Sequence, residues 1–285
     1  MKTFEYHSPE TLEQAISLLV HYNGQARLLA GGTDLIVEMR NGTVSPKAVI
    51  DIKGIPDLQF LKDEKESMRI GALVTIRDIE TSPLIEEKFP ILKETARVMA
   101  SFQVRNRATL VGNICHASPA ADMVPSLIGL GSKIKIVGKN SEKVMELEDF
   151  FAGPGKTKLE QGEILREVIV PKPDSNCKGA YIKLSPRKLT DLAVVGVALI
   201  YWEDRGGRCE DVRIVMGAVG PKAIRAKEAE KSLVGKKLDE LLLQEAAEKA
   251  MMETSPITDV RGSDWYRKAM VKVLVERGLR KLCRF

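Results

Sequence analysis

Two glycine-bearing segments hold the residues best placed for chemistry in this chain. In Ala30-Gly31-Gly32-Thr33-Asp34-Leu35, successive glycines let backbone N–H groups converge on an anion with no side chain in the way. The second segment, Thr109-Leu110-Val111-Gly112-Asn113-Ile114, continues into Cys115-His116-Ala117-Ser118-Pro119-Ala120-Ala121-Asp122. It is rich in small residues, as suits backbone that must approach a large flat ligand closely. Taken alone, the first segment reads first as a tight strand-to-helix turn, since glycine-rich turns are common loop chemistry. Taken together, the two turns could grip one pyrophosphate.

Other motifs carry less. Gly153-Pro154-Gly155-Lys156-Thr157 contains the GKT of a phosphate loop, but Phe150 stands where that loop needs its first glycine, and no helix pattern follows. Gly129-Leu130-Gly131 lacks the third glycine of a dinucleotide fingerprint and reads as a helix C-cap. His116 has no paired acid or nucleophile in the pattern, so a structural role comes first, and Cys115 reads as a small buried filler. Arg187-Lys188 reads as solvated surface before it reads as a cofactor or partner contact. The four cysteines, at 115, 177, 209 and 283, form no CxxC pair and match no cluster spacing, which disfavours a metal site and a disulfide framework. No catalytic triad is legible.

These segments need elements to hold them. Over residues 1–55 strands and helices alternate: Phe4 to Tyr6, a helix capped by Ser8 with Pro9 at its first position, Arg27 to Ala30, a helix over Leu35 to Arg40, and Ala48 to Ile52. From 56 to 175 the pattern gives a strand at Met68 to Leu73, helices opened by Thr75 and Pro90, and an irregular loop from Gln103 to Asp122. A helical segment to Gly131 and short strands at Lys133 to Val137, Lys143 to Leu147 and Leu165 to Val170 complete it. Pro171 and Pro173 mark a boundary near 175. The remainder is α+β, with three strands (Ala180 to Leu184, Leu192 to Trp202, Val212 to Val219) and three helices, the last running from Ser263 to about Leu282. A length of 285 residues agrees with about two domains. The 44 basic against 39 acidic residues are dispersed along the chain, which argues against a nucleic-acid binder. No apolar run approaches the roughly 20 residues of a membrane span, and no leader is legible, so a reducing cytoplasm is the expected setting.

With those segments in view, a resemblance covers essentially the whole chain. AGGTDL at 30–35, TLVGNICHASPAAD at 109–122, LEDFFAGPGKTKLEQGEIL at 147–165, KLSPRKLTDLAVVGVA at 183–198 and PITDVRGSDWYRKAMVKVLVERGL at 256–279 resemble the FAD-binding medium subunit of the molybdenum hydroxylases. That is the family of xanthine dehydrogenase and carbon monoxide dehydrogenase. The resemblance implies an α+β chain: a vanillyl-alcohol-oxidase (PCMH-type) FAD-binding fold of two α/β subdomains over residues 1–175, then the family's C-terminal α+β domain over 176–285. It implies that backbone groups of Leu28, Leu29, Ala30, Gly31, Gly32, Thr33, Asp34 and Leu35, with those of Thr109, Leu110, Val111, Gly112 and Asn113, bind the FAD pyrophosphate. Asp122 would contact the cofactor, and Leu165 and Lys183 would lie near the flavin. Asp259, Arg261 and Tyr266, in the C-terminal signature, are read as architectural.

The same resemblance implies partners. A small subunit with [2Fe–2S] clusters would feed electrons to FAD, a large subunit would carry the molybdenum cofactor, and NAD or another acceptor would take the electrons away. No metal is expected in this chain. Two positions depart from the family pattern: Val111 replaces the first of two paired glycines, and Leu192 stands where the carbon monoxide branch has tyrosine. With Thr33-Asp34 in place of that branch's His-Ser, the sequence leans towards xanthine or heterocycle dehydrogenases. Two other readings compete: an assembly or scaffold homologue that has lost FAD, and a free-standing flavin reductase of the same superfamily.

Overall fold

The N-terminal 55 residues build a parallel unit whose strands, β1 (Glu5–His7), β2 (Ala26–Leu29) and β3 (Ala48–Asp51), lie in the order β1-β3-β2. Glu5 stands opposite Ala48, and Leu28 opposite Ile50. The crossovers are α1 (Leu12–His21) and α2 (Leu35–Asn41). α1 starts at an N-cap on Thr11 rather than on Ser8, because the Thr11 hydroxyl accepts the Gln14 N–H while Gln14 turns back to the Glu10 N–H. Its Ala15 and Ile16 face the core, as their spacing requires. The structure is a computed structural model and describes residues 1–187 and 190–283.

The next part of the chain forms an antiparallel sheet of order β4-β5-β10-β6-β7, from β4 (Leu61–Asp63), β5 (Ser67–Gly71), β6 (Lys133–Val137), β7 (Glu142–Glu146) and β10 (Ile164–Pro171). Between β5 and β6 lie six short helices: α3 (Ile76–Thr81), α4 (Pro83–Lys88), α5 (Pro90–Val98), α6 (Phe102–Arg105), α7 (Leu110–Cys115) and α8 (Met123–Gly129). The irregular loop expected from Gln103 to Asp122 is thus partly helical. Thr109 caps α7 by accepting the Gly112 N–H, a start signal masked by the small residues that follow and hide any 3.6-residue period. The GKT segment forms a hairpin of β8 (Phe151–Gly153) and β9 (Lys156–Thr157), which escaped the sequence reading because its strands are so short. The Lys158 N–H returns to the Phe150 carbonyl, so no helix follows the GKT.

The C-terminal sheet has the order β11-β12-β13-β14, from β11 (Cys177–Leu184), β12 (Val195–Glu203), β13 (Cys209–Gly217) and the two-residue β14 (Ile224–Arg225). The three expected strands are therefore joined by a short fourth. β12 begins at Val195, not Leu192, which lies exposed before it. The helices α9 (Lys227–Leu233), α10 (Glu240–Met252) and α11 (Asp264–Cys283) cover one face. β12 is buried on both faces, which explains its continuous apolar run. Ala198 and Ile200 join the large core shared with α5, α8 and the five-stranded sheet, whereas Val197, Leu199 and Tyr201 join the core under α9 to α11.

The C-terminal signature closes this second core. Arg267, on α11, is 2% exposed; it donates to the carbonyls of Val194 and Ala218 at 2.9 Å and to the Asp259 carboxylate at 2.6 Å. Arg261 donates to the other Asp259 oxygen at 2.6 Å. These two guanidinium groups, Arg261 first, hold the Asp259 carboxyl down at about 2. Tyr266, by contrast, is exposed.

Candidate functional site

A cavity of about 870 Å³ opens between the parallel unit and the second sheet, within the size range of ligand sites. It is lined by the β2–α2 turn, by Met99 and the run from Ala108 to Pro119, and by a strap running from Gly155 to Leu165. The two glycine turns meet here because Gly31 has no side chain: a Cβ at that position would stand 2.1 Å from the Arg107 carbonyl oxygen. Gly32 adopts φ +75°, a left-handed conformation that turns the chain out of β2 into α2.

The decisive feature is a row of unspent donors. Among the described residues, no hydrogen bond takes up the backbone N–H groups of Gly31, Gly32, Thr33, Asp34 or Leu35, and that of Val111 is likewise free. The turn is part-buried, with Asp34 exposed, and Asp34 and Leu35 open α2, whose first N–H groups have no partner within the helix; successive free N–H groups in such a turn make an anion cradle. Among the described residues, Arg27 is the one Lys or Arg side chain in the lining, beside the acidic Asp34, Glu38, Glu160 and Glu163, so an anion held here is met by backbone rather than by side-chain charge. The Asn113 Oδ1 is a second vacant group, buried with no partner on the wall of the cavity. Apolar walls come from Leu19, Leu28, Ile52, Met99, Leu159 and Leu165. The donor row, the vacant acceptor and the apolar walls fit a dinucleotide with an anionic centre and flat ends.

The structure brings most of the sequence-predicted residues to this cavity. Leu28, Ala30, Gly31, Gly32, Thr33, Asp34, Leu35, Thr109, Val111, Gly112, Asn113 and Leu165 line it; Leu29, Leu110, Asp122 and Lys183 do not. Val111 buries its side chain in the core, so valine leaves the backbone face of the turn open. Gly112 spends its N–H on the Thr109 hydroxyl at 3.0 Å.

Asp122 and Lys183 form an ion pair behind the lining, at 2.8 Å and with both side chains 5% exposed. The Tyr181 hydroxyl donates to the same carboxylate at 2.9 Å. Burial pushes the Asp122 carboxyl above its usual range, against the pull of the Lys183 ammonium and the Tyr181 hydroxyl. His116 lies on the cavity wall with Nδ1 3.8 Å from a Glu38 carboxylate oxygen, a contact that crosses from α7 to α2. Its neighbour Cys115, also in the lining, has its thiol pushed up to about 12 by burial, which holds it in the neutral form. Arg187 pairs with Asp191 on the surface, and Lys188 lies outside the described residues. Sequence reasoning did not single out Met99 or Glu38, and of the strap it named Leu165 alone as a site residue, although the whole stretch carries part of the resemblance.

Comparison with known proteins gives the ligand. Residues 2–173 match the family described as the FAD binding domain in molybdopterin dehydrogenase, and residues 180–282 match the CO dehydrogenase flavoprotein C-terminal domain. The chain belongs to this FAD-binding medium-subunit family. Its fold is accordingly the PCMH-type FAD fold, and its cofactor is FAD. Within the family, it is 34% identical over 279 residues to the glyceraldehyde dehydrogenase medium chain of Sulfolobus acidocaldarius, spanning 98% of each. The nicotinate dehydrogenase FAD-subunit of Eubacterium barkeri is 35% identical over 239 residues, 82% of this chain and 81% of that one. A solved carbon monoxide dehydrogenase from Hydrogenophaga pseudoflava superposes with a TM-score of 0.95 at 34% identity, covering 98% of this chain and 96% of that one. This flavoprotein subunit is thus an oxidoreductase component of a multisubunit enzyme. Among its described residues no helix is long and apolar enough to cross a membrane, and no group of three His, Cys, Asp or Glu side chains is placed to hold a metal.

Proposed function

We propose that FAD lies in the cavity with its pyrophosphate on the free N–H groups of Gly31 to Leu35 and Val111, and that the chain relays electrons between the other subunits and an external acceptor. The observation that carries this reading is the row of unspent backbone donors on a cavity wall almost free of basic side chains. Bound FAD supplies a redox centre able to exchange electrons singly on one side and in pairs on the other. The chain's own residues bind and shield it. The Gly31 turn and Val111 donate to the anion, Asn113 Oδ1 accepts a ligand N–H or O–H, and the strap from Gly155 to Leu165 screens one side from water.

In this reading a small subunit with [2Fe–2S] clusters delivers electrons, a large subunit with the molybdenum cofactor oxidises the substrate, and NAD or another acceptor takes the electrons from FAD. Residues 1–175 would serve as the cofactor-binding part and 176–285 as a C-terminal domain. The relatives are named for glyceraldehyde, carbon monoxide, nicotinate and xanthine dehydrogenases alike, so they do not decide the lean towards xanthine or heterocycle dehydrogenases drawn from Thr33-Asp34 and Leu192. The flavin-less alternative rested on Val111, whose side chain is turned into the core.

The test is direct. Purified chain reconstituted with FAD should retain one equivalent and release it on denaturation, with a flavin band near ~450 nm. Copurification from its source should recover two further subunits, one with iron–sulfur clusters and one with molybdenum. A folded chain that takes up no FAD would refute the reading.

A further inference from the structure

The segment from Val98 to Thr109 supplies three residues of the cavity wall, Met99, Ala108 and Thr109, and its Arg107 carbonyl is the surface against which Gly31 packs. Its far end is pinned, the Ile76 N–H donating to the Ala108 carbonyl and the Leu110 N–H to the Val74 carbonyl, but its near end at 98–100 is strained. Ala100 sits at φ +46°, a left-handed conformation that strains a non-glycine residue. The helix that follows, α6, has only four residues, too few to be stable alone.

What holds the turn is a set of buried cations on three consecutive carbonyls. Arg105 Nη1 donates to the Met99 carbonyl at 3.0 Å and to the Ala100 carbonyl at 3.1 Å, and Lys183 Nζ donates to the Val98 carbonyl at 3.2 Å. Arg105 is 8% exposed, and its Nε is anchored on Glu80 of α3 at 3.0 Å, where Arg77 also binds. Arg105 is not among the residues lining the cavity.

We propose that Arg105 is a positioning residue for the cofactor: by tying the 98–100 turn to α3 it fixes Met99 and the Arg107 carbonyl where they complete the wall facing FAD. This rests on the FAD reading above. Without Arg105 the strained turn relaxes, Met99 withdraws or swings, and the seam between the two glycine turns loosens. The consequence falls on the cofactor's surroundings as well as on stability.

The experiment uses the full chain loaded with FAD. Arg105→Met should weaken FAD binding about tenfold, equivalent to about 1.4 kcal/mol, and should shift the visible circular dichroism and the reduction potential of the bound flavin. Arg105→Lys, which keeps the charge without the fork, should fall between wild type and Arg105→Met. Arg225→Met is the control: Arg225 is forked on buried Glu230 at 2.8 Å away from the cavity, so its loss should lower stability while leaving affinity, spectrum and potential unchanged. If Arg105→Met does not fold, Glu80→Gln decides, with a smaller shift in the same direction. Wild-type affinity and spectrum in Arg105→Met (or in Glu80→Gln, if that is the variant that folds), or the same spectral change in the Arg225 control, would overturn the proposal. Failure of the wild-type chain to bind FAD would instead remove the reading beneath it.

Discussion

Gly31→Ala separates close approach from backbone strain. Gly31 has no positive φ, so alanine suits its backbone and the whole effect comes from the added methyl group. That methyl would stand 2.1 Å from the Arg107 carbonyl oxygen and 2.8 Å from its carbon, where Cβ contacts below 3.0 Å do not survive. The two turns must therefore part by roughly 1 Å, at the cost of about 1–3 kcal/mol that overpacking usually brings. In the proposed pose both turns donate to one anion, so most of that cost should reappear in binding. At 1.4 kcal/mol per factor of ten, FAD affinity should fall by about 10- to 100-fold. Gly42→Ala provides the comparison, since Gly42 has φ +75° with nothing within 4 Å of the place its methyl would take, and lies outside the cavity lining. It should lose about 1 kcal/mol of stability and bind FAD within about twofold of wild type. The assays are denaturant unfolding of the apoprotein and titration of FAD by quenching of its fluorescence. A Gly31→Ala protein that folds and binds FAD like wild type would refute the idea that contact between the turns builds the anion site.

Further outcomes are open to measurement. FAD at about 100 times its Kd should stabilise the chain by about 2.7 kcal/mol, seen as a rise of about 5–10 °C in thermal midpoint; no rise would mean that the folded cavity is not its site. Arg267→Met should cost about 3–5 kcal/mol in denaturant unfolding, because it strips the Val194 and Ala218 carbonyls of their donor and removes half of the partnership of Asp259. The Asp259 carboxyl is held at about 2 when folded against 3.8 when free, so its stabilisation is complete above pH 3.8 and drains away as pH falls towards about 2. Asp259→Asn should remove about 2 kcal/mol of acid dependence from that window, and an unaltered acid titration would show the pairing to be inconsequential.

Some of this was legible and some was not, for physical reasons. The parallel unit could be read because α1 and α2 carry apolar faces between strands, and Asn23-Gly24 and Asn41-Gly42 punctuate them. The run from Gln103 to Asp122 could not: α6 and α7 are too short to show a period, and their start signals, Ser101 and Thr109, are lone hydroxyls among small residues. In the site, the glycines were visible because backbone conformation leaves a local mark. Met99, Glu38 and Arg105 were not, since what makes them matter is proximity to chain remote in sequence. Asp122 and Lys183 show the opposite case, where family likeness points at residues that the fold places behind the wall, bonded to each other.

The two-faced burial of β12 bears on how the protein is made. The core behind the cavity is capped by Tyr181, Ala198, Ile200 and Val215, all from strands that leave the ribosome after residue 175. At roughly 5–20 residues per second, the cofactor-binding part waits several seconds of translation with that greasy flank bare. A stop codon near residue 175 would make the wait permanent, so the shortened product should be claimed by chaperones or precipitate, although its glycine turns are intact.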